Sequence, residues 1–380
     1  MFYVYLVLII LIPFFLKNKI SLFFSFVLIF ILWGLEYRMV QDWDGNIARW
    51  YGCFQYQGMN VADKGAGGKT LEPFYVIICR WHETIGYFGQ LITTALLGIC
   101  VFYYLICKYV TPKYYWLSLF IFFIRPENAL LIFNSNRQSI ALLLTLVAVF
   151  VLLKNYYSDV KSDIVKLLIS FVFIKLATLV HTGAIFAYVI PILYLLAKYV
   201  NLTKYNLLLI VCNILFLSRF SYSLSYIADD LLKSDLIGFI NEYYLAYTRN
   251  LDTTEKEYSI FETILYFIPM NYAIISLDKM KGEFRFLSLV FVLAMILTGF
   301  FVSNLARVIQ YYHIYMIVLI PYLCQLVMEI YWKKYKFFII IIFPYMILYS
   351  IYAFVVAMQG YLYCRWQDFQ TTIFDAPVWM

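Results

Sequence analysis

The sequence predicts an all-α, polytopic integral membrane protein with about 12 transmembrane helices and two large extracytoplasmic loops. Three observations lead there. Charged residues make up 13% of the 380 positions and hydrophobic residues 64%. A soluble domain carries roughly 25% charged residues, and a globular core cannot hide this much apolar surface, so lipid must cover it. Apolar runs approaching the roughly 20 residues that cross a bilayer recur along nearly the whole chain. Lysines fill alternate connections between those runs, as the positive-inside rule requires.

The first run, Phe2–Leu16, resembles a signal peptide only superficially. No basic residue precedes it, and Lys17-Asn18-Lys19 follows where a small-residue cleavage site belongs. It reads as a retained span. Further spans are expected at Ile20–Leu35, Phe88–Ile106, Tyr114–Ile124, Ser139–Leu153, Ile164–Val180, Ala184–Leu196, Tyr205–Leu217, Ile260–Leu277, Phe286–Val302, Val308–Met328 and Phe337–Ala357. Tyr114–Ile124 and Ala184–Leu196 are too short for a straight crossing. They read as broken or re-entrant segments, tolerated where protein buries them. No linker, repeat or low-complexity tract divides the chain, so residues 1–380 read as a single membrane domain. The large loops are Glu36–Tyr87, which contains the amphipathic segment Phe74–Glu83, and Ser218–Ser259. Gly65-Ala66-Gly67-Gly68 reads as a flexible loop tip, because its spacing to Lys69-Thr70 does not fit a phosphate-binding P-loop.

With the Lys17/Lys19 turn in the cytoplasm, the inner connections hold 15 positive residues, 14 of them lysine, against five acids. Nine of the 10 arginines fall on the other side. Lysine is a point charge, whereas arginine forms planar bidentate pairs with phosphate. Lysines therefore set orientation, and the arginines gather where a phosphorylated ligand fits or where outer acids pair with them. The basic residues are dispersed, with no patch for nucleic acid. The aromatic content, 21%, suits membrane interfaces and also sugar stacking. The seven cysteines lack metal-ligand spacing. Cys100, Cys107, Cys212 and Cys324 read as small core residues, and Cys53, Cys79 and Cys364 leave a disulfide open.

Several polar residues interrupt this pattern near one membrane rim. Asp42-Trp43-Asp44 offers two carboxylates for a general base or metal, or a solvated helix end. Glu72-Pro73 suits a helix start, where an acid complements the dipole. Arg137 opens an apolar span at Asn134-Ser135-Asn136-Arg137-Gln138. The helix dipole opposes a cation there, so an anionic partner is expected, and the local N–H groups favour the same anion. Alternatively, Arg137 snorkels or forms a salt bridge. His181 lies between two apolar runs, where an ionisable residue is a functional candidate or a structural histidine bonded to a carbonyl. Lys175, deeper in the preceding run, snorkels or faces the same cavity. Arg307 and Tyr311 lie four residues apart and so share a helix face. His313 points elsewhere and reads as packing.

In this order, Asp42 or Asp44, Glu72, Asn134-x-x-Arg137-Gln138, His181 and Arg307-x-x-x-Tyr311 resemble the EpsG/Wzy family of bacterial exopolysaccharide and O-antigen polymerases. The resemblance spans roughly Asp42 to Tyr311. Asn136 departs from it, occupying a position usually aliphatic in the family. The resemblance implies a multi-pass enzyme of the bacterial cytoplasmic (inner) membrane with its active site facing outward. Its substrates would be undecaprenyl-pyrophosphate-linked oligosaccharides, with no nucleotide sugar, no cofactor and no metal. Membrane lipid surrounds such an enzyme, and a chain-length regulator is a candidate partner. On this reading Arg137 and Arg307 bind pyrophosphate. His181, or one of Asp42, Asp44 and Glu72, accepts a proton, while Gln138 and Tyr311 position substrate.

Two other classes explain part of the pattern. A lipid-linked oligosaccharide flippase accounts for many spans and rim arginines, but predicts two related halves and small outer loops. Neither appears in the sequence. Another membrane transferase (an O-antigen ligase, an acyltransferase, or a glycosyltransferase using polyprenyl-phosphate sugars) becomes the better reading if Asp42-Trp43-Asp44 binds metal.

Overall fold

The computed structural model describes residues 2–34, 36–38, 73–124, 136–200, 206–217, 260–300, 306–331 and 370–371. Among these residues the protein is helical apart from one pair of short strands. The chain forms two compact units, Met1–Tyr188 with Met316–Met380, and Val189–Tyr315.

The first unit opens with a helical hairpin, α1 (Phe2–Leu16) and α2 (Lys19–Gly34). Lys17 turns the chain with a φ of 50°. Asn18 and Ser21 then cap α2 reciprocally: the Ser21 N–H donates to Asn18 Oδ1 (2.7 Å), and the Asn18 N–H to Ser21 Oγ (3.3 Å). This is a capping box with serine in place of glutamate. Buried Ser25 donates to the Ile9 carbonyl at 2.8 Å and ties the two helices together. Such small polar residues are the usual adhesive between membrane helices. Phe15, Ile20, Phe23 and Phe24 point outward, where lipid covers them.

Helix α3 (Pro73–Tyr109) begins on proline, whose fixed φ and missing N–H suit a first turn. At 1.5 Å per residue its 37 residues extend about 55 Å, well beyond the roughly 30 Å of hydrocarbon. The separate amphipathic segment expected at Phe74–Glu83 and the span expected at Phe88–Ile106 are thus one continuous helix. Its membrane-length apolar stretch is Ile92–Tyr109. Gly98 lies against the Trp33 indole so closely that a Cβ would overlap the ring.

A 3-10 turn, Pro112–Tyr114, leads to α4 (Tyr115–Ile124), so the short segment expected here is a helix of 10 residues. Trp33, Phe102, Leu119 and Phe122 surround an apolar void of about 10 Å³, too small to serve as a ligand pocket.

Next come α5 (Asn136–Leu153) and α6 (Val160–Val180). Helix α5 is buried on most of its circumference, from Gln138 and Ser139 to Leu152 and Leu153, and forms the centre of the unit. Helix α6 is amphipathic in the inverted sense of membranes. Asp163, Lys166, Ser170, Ile174, Ala177 and Val180 form its buried stripe, whereas Ile164, Leu168 and Val172 are exposed. Lys175 lies on that exposed, lipid-facing side, which fits a snorkelling lysine. Late in the chain, α12 (Met316–Leu326) returns to pack against α3 and α4 and continues as a π-helix, Val327–Tyr331. The strands β1 (Glu36–Arg38) and β2 (Gln370–Thr371) pair antiparallel, Glu36 opposite Thr371 and Arg38 opposite Gln370.

The second unit contains α7 (Val189–Tyr199), α8 (Asn206–Leu217), α9 (Ile260–Ile275), α10 (Gly282–Phe300) and α11 (Ala306–His313). Helix α10 is its buried centre, and Phe286 meets Tyr194 of α7 edge to face at 5.7 Å. Asn213 of α8 and Asn271 of α9 exchange two side-chain amide bonds, at 2.7 and 2.9 Å.

Among the described residues, three helical stretches are long and apolar enough to cross a membrane: Ile92–Tyr109, Thr182–Tyr199 and Ile309–Glu329. Val4–Leu16, Lys19–Trp33 and Arg137–Leu153 are shorter apolar helices. The break expected in Ala184–Leu196 takes the form of a change in winding. Thr182–Tyr188 is a 3-10 helix and Val189–Tyr199 an α-helix. A 3-10 helix rises about 2.0 Å per residue against 1.5 Å, so the winding lengthens a short segment. The expected span Phe337–Ala357, the loop Ser218–Ser259 and most of the loop Glu36–Tyr87 lie outside the described residues. Of the cysteines read as core, Cys212 is buried, Cys107 and Cys324 are half-buried, and Cys100 is exposed. Cys100 is therefore corrected to a lipid-facing residue.

Candidate functional site

The connection between α5 and α6 decides which residues meet. Only residues 154–159 separate the two helices, and so short a link makes packed neighbours antiparallel. Asn155 adopts a φ of 50° in the turn, and Asp159 caps α6 by accepting the Ser162 N–H at 3.3 Å. Lys166 seals the turn from inside. Its Nζ donates to the Asn155 carbonyl (2.6 Å) and Ser158 Oγ (2.6 Å), and lies 3.4 Å from Asp163 Oδ1. Lys166 and Asp163, counted among the charges of the inner connections, are both buried.

Because the hairpin is antiparallel, the first turn of α5 and the last turn of α6 share its other end. Arg137 and Gln138 arrive from α5 and His181 from α6. His181 closes α6: its N–H donates to the Ala177 carbonyl at 2.9 Å, while its own extended backbone (φ −149°, ψ 115°) redirects the chain. Its carbonyl then accepts the Ala184 N–H at 2.9 Å, within the 3-10 segment. The side chain thus stands at the junction of two helical windings and is half-buried. Gln138 is buried, only 2% exposed.

Arg137 is half-buried, and its guanidinium carbon lies over the Tyr75 ring, 5.7 Å from the ring centre. Tyr75 belongs to the first turn of α3 and is itself buried. The magnitudes explain why a cation is stable here. A charge opposed to the helix dipole costs about 0.3–1 kcal/mol. A cation over an aromatic face gains about 0.5–1 kcal/mol, and about 2 kcal/mol when desolvated. The ring face thus offsets the dipole. Tyr75 is thus one neighbour of the Arg137 guanidinium.

Six lysines lie at the opposite end of the first unit. Phe14 meets Trp116 (5.4 Å between ring centres), Tyr104 meets Phe150 (5.5 Å), and Thr111 donates to Gln325 Oε1 (3.3 Å). These contacts gather the α1–α2, α3–α4 and α5–α6 connections and the end of α12. With them come Lys17, Lys19, Lys108, Lys113, Lys154 and Lys161.

In the second unit, Arg307 occupies the second position of α11 and Tyr311 follows one turn later. Tyr311 is fully buried, beside buried Tyr312 and Tyr315. His313, expected as packing, is buried as well. The first unit thus unites Arg137, Gln138 and His181, and the second carries Arg307 with Tyr311. Asp42, Asp44 and Glu72 lie outside the described residues, and with them the acidic motif considered for a metal.

Sequence reasoning missed Tyr75, which lies far from Arg137 in the chain and has no spacing signature. It also missed the Asn213–Asn271 pair, although asparagine inside an apolar run is itself a signal. No curated protein and no solved structure gives a match to this chain. A family profile does, over residues 19–366, which is nearly the whole length. This largely helical membrane protein, with Arg137 and His181 at one end of a hairpin, belongs to the EpsG family, whose members are polysaccharide-polymerase-like membrane proteins.

Proposed function

We propose that the protein is a polysaccharide polymerase joining undecaprenyl-pyrophosphate-linked oligosaccharide repeat units at the outer face of the bacterial cytoplasmic membrane. It does so from a scaffold of about 12 spans. A hydroxyl of the acceptor unit attacks the anomeric carbon of the donor chain. A C–O bond forms, the bond from that carbon to the pyrophosphate oxygen breaks, and lipid pyrophosphate leaves with the electron pair. The hydroxyl proton passes to a base. Because the leaving group is already good, the protein chiefly supplies cations at the diphosphate and a base at the attacking oxygen. Arg137 and Arg307 bind the diphosphate. His181, or one of Asp42, Asp44 and Glu72, takes the proton, and Gln138 and Tyr311 position the sugars. The lysine-rich end faces the cytoplasm.

The observation that carries this reading is the shared position of Arg137 and His181 at the hairpin end opposite the lysines. The test is the glycan ladder. In a strain lacking the gene, polymerisation should stop at one repeat unit on its acceptor. Wild type should restore the ladder, and Arg137→Ala, His181→Ala and Arg307→Ala proteins inserted at normal levels should not. An unchanged ladder on deletion, with no redundant polymerase present, would overturn the reading. Loss even of the single-unit band, with lipid-linked units accumulating, would point to export or ligation. Elongation should persist in chelator. Loss that Mg²⁺ or Mn²⁺ restores would make Asp42-Trp43-Asp44 a metal site.

A further inference from the structure

We infer that the lysine-rich end of the first unit contains a seat for the headgroup of an anionic phospholipid, with Lys17, Lys19 and Lys113 as its cations. The α1–α2 turn supplies Lys17 and Lys19. Lys113 arrives on the Pro112–Tyr114 turn, which packs against α1, where Phe14 meets Trp116. All three lysines are exposed. Two of them sit where the backbone disfavours lysine. Lys17 holds a φ of 50°, as does Asn155; asparagine tolerates that left-handed conformation, whereas it costs a lysine conformational energy. Lys19 opens α2, where the helix dipole opposes a cation. Lys113 Nζ lies 5.4 Å from the centre of the Tyr114 ring, an attractive distance that restrains a long side chain.

The surroundings select a membrane lipid. Phe15 is 70% exposed, Leu16 59% and Ile20 66%, and in the chain they flank Lys17 and Lys19. Acyl chains that cover these side chains bring a headgroup phosphate level with the ammonium groups. A soluble acidic protein matches the charge but not this apolar border. Acids near the other connections of this end are engaged within the fold: Asp159 accepts the Ser162 N–H, Asp163 lies against Lys166, and Glu329 accepts from Gln325. The local field is therefore positive, and each lysine near a membrane surface adds to the attraction of an anionic lipid. The seat is independent of the reaction proposed above, and lies at the other end of the unit from Arg137 and His181.

The experiment titrates phosphatidylglycerol into the full-length protein in neutral detergent and reads the bound lipid by native mass spectrometry. Lys17→Asn, Lys19→Gln and Lys113→Gln should each weaken the tightest-bound phosphatidylglycerol about 5-fold, and the triple variant on the order of 100-fold. Phosphatidylcholine should bind weakly, and alike to wild type and variants. Arginine at all three positions should retain binding, which separates loss of charge from loss of fold. Lys154→Gln with Lys161→Gln, at the same end but on another connection, should change binding by less than about 2-fold. Wild-type affinity in the triple variant would overturn the proposal. So would an equal loss from the Lys154 and Lys161 pair, which would reduce the seat to a diffuse field. Displacement of the lipid by free glycerol phosphate at matched concentration would make this a site for soluble phosphate. Displacement by an acidic peptide would make it a protein-docking surface. Either result would overturn the assignment to lipid.

Discussion

The two ends of the α5–α6 hairpin treat their cations in opposite ways. At the turn, Lys166 is enclosed by the Asn155 carbonyl, Ser158 and Asp163. At the other end, Arg137 rests over an aromatic ring and stays half-buried. The first cation is used up by the fold. The second is the cation proposed to bind a ligand. The same two helices thus connect an enclosed, structural charge at one end to a half-buried charge against an aromatic face at the other.

Substitutions should separate these roles. The largest effect is expected from Lys166→Met. It leaves Asp163 buried without its cation and should destabilise the protein by about 3–5 kcal/mol. Unfolding in detergent reports this, and a variant as stable as wild type would mean that the turn network is incidental. Arg137→Ala should do the reverse, slowing elongation about 10²- to 10³-fold, equivalent to about 2.7–4 kcal/mol of barrier. Its stability should change by less than about 1 kcal/mol. Elongation at the wild-type rate would remove Arg137 from the site. Gly98→Ala places a methyl group against Trp33 and should cost about 1–3 kcal/mol through overpacking. A companion Trp33→Leu substitution should recover part of that loss, and no recovery would locate the strain elsewhere. The smallest effect belongs to Asn271→Ala. Opening the amide pair with Asn213 should cost about 0.6 kcal/mol, the typical value for polar contacts between membrane helices. A loss several times larger would give that pair more than a packing role.

The apolar runs made most of the helices legible, because in a membrane the hydrocarbon width sets segment length. Phe2–Leu16 is recovered as read, and the start and end of α6 lie within a few residues of expectation. The continuity of α3 was not legible. Arg80, His82 and Glu83 interrupt its apolar pattern and made Phe74–Glu83 resemble a separate interfacial piece. Hydropathy does not report whether backbone hydrogen bonds run on through such a patch. The placement of Arg137 and His181 at one end of the hairpin follows from a short turn, which the sequence contains. The contact of Arg137 with Tyr75 does not, because a contact between distant helices leaves no local pattern. The enclosure of Lys166 is hidden for a related reason: a lysine near a turn usually reaches water, and only the packed structure reveals that Ser158 and Asp163 enclose it.

The late return of α12 carries a consequence for biosynthesis. Ile317 of α12 lines the same apolar void as Leu119 and Phe122 of α4, yet nearly two hundred residues separate these helices in the chain. At about 5–20 residues per second, roughly 10–40 s of translation pass between them. During that interval α3 and α4 are in place while the surface awaiting α12 remains open. Lipid acyl chains or an insertion factor must shield it, and the arrival of α12 displaces them. Completion of the first unit is therefore timed by the synthesis of the second.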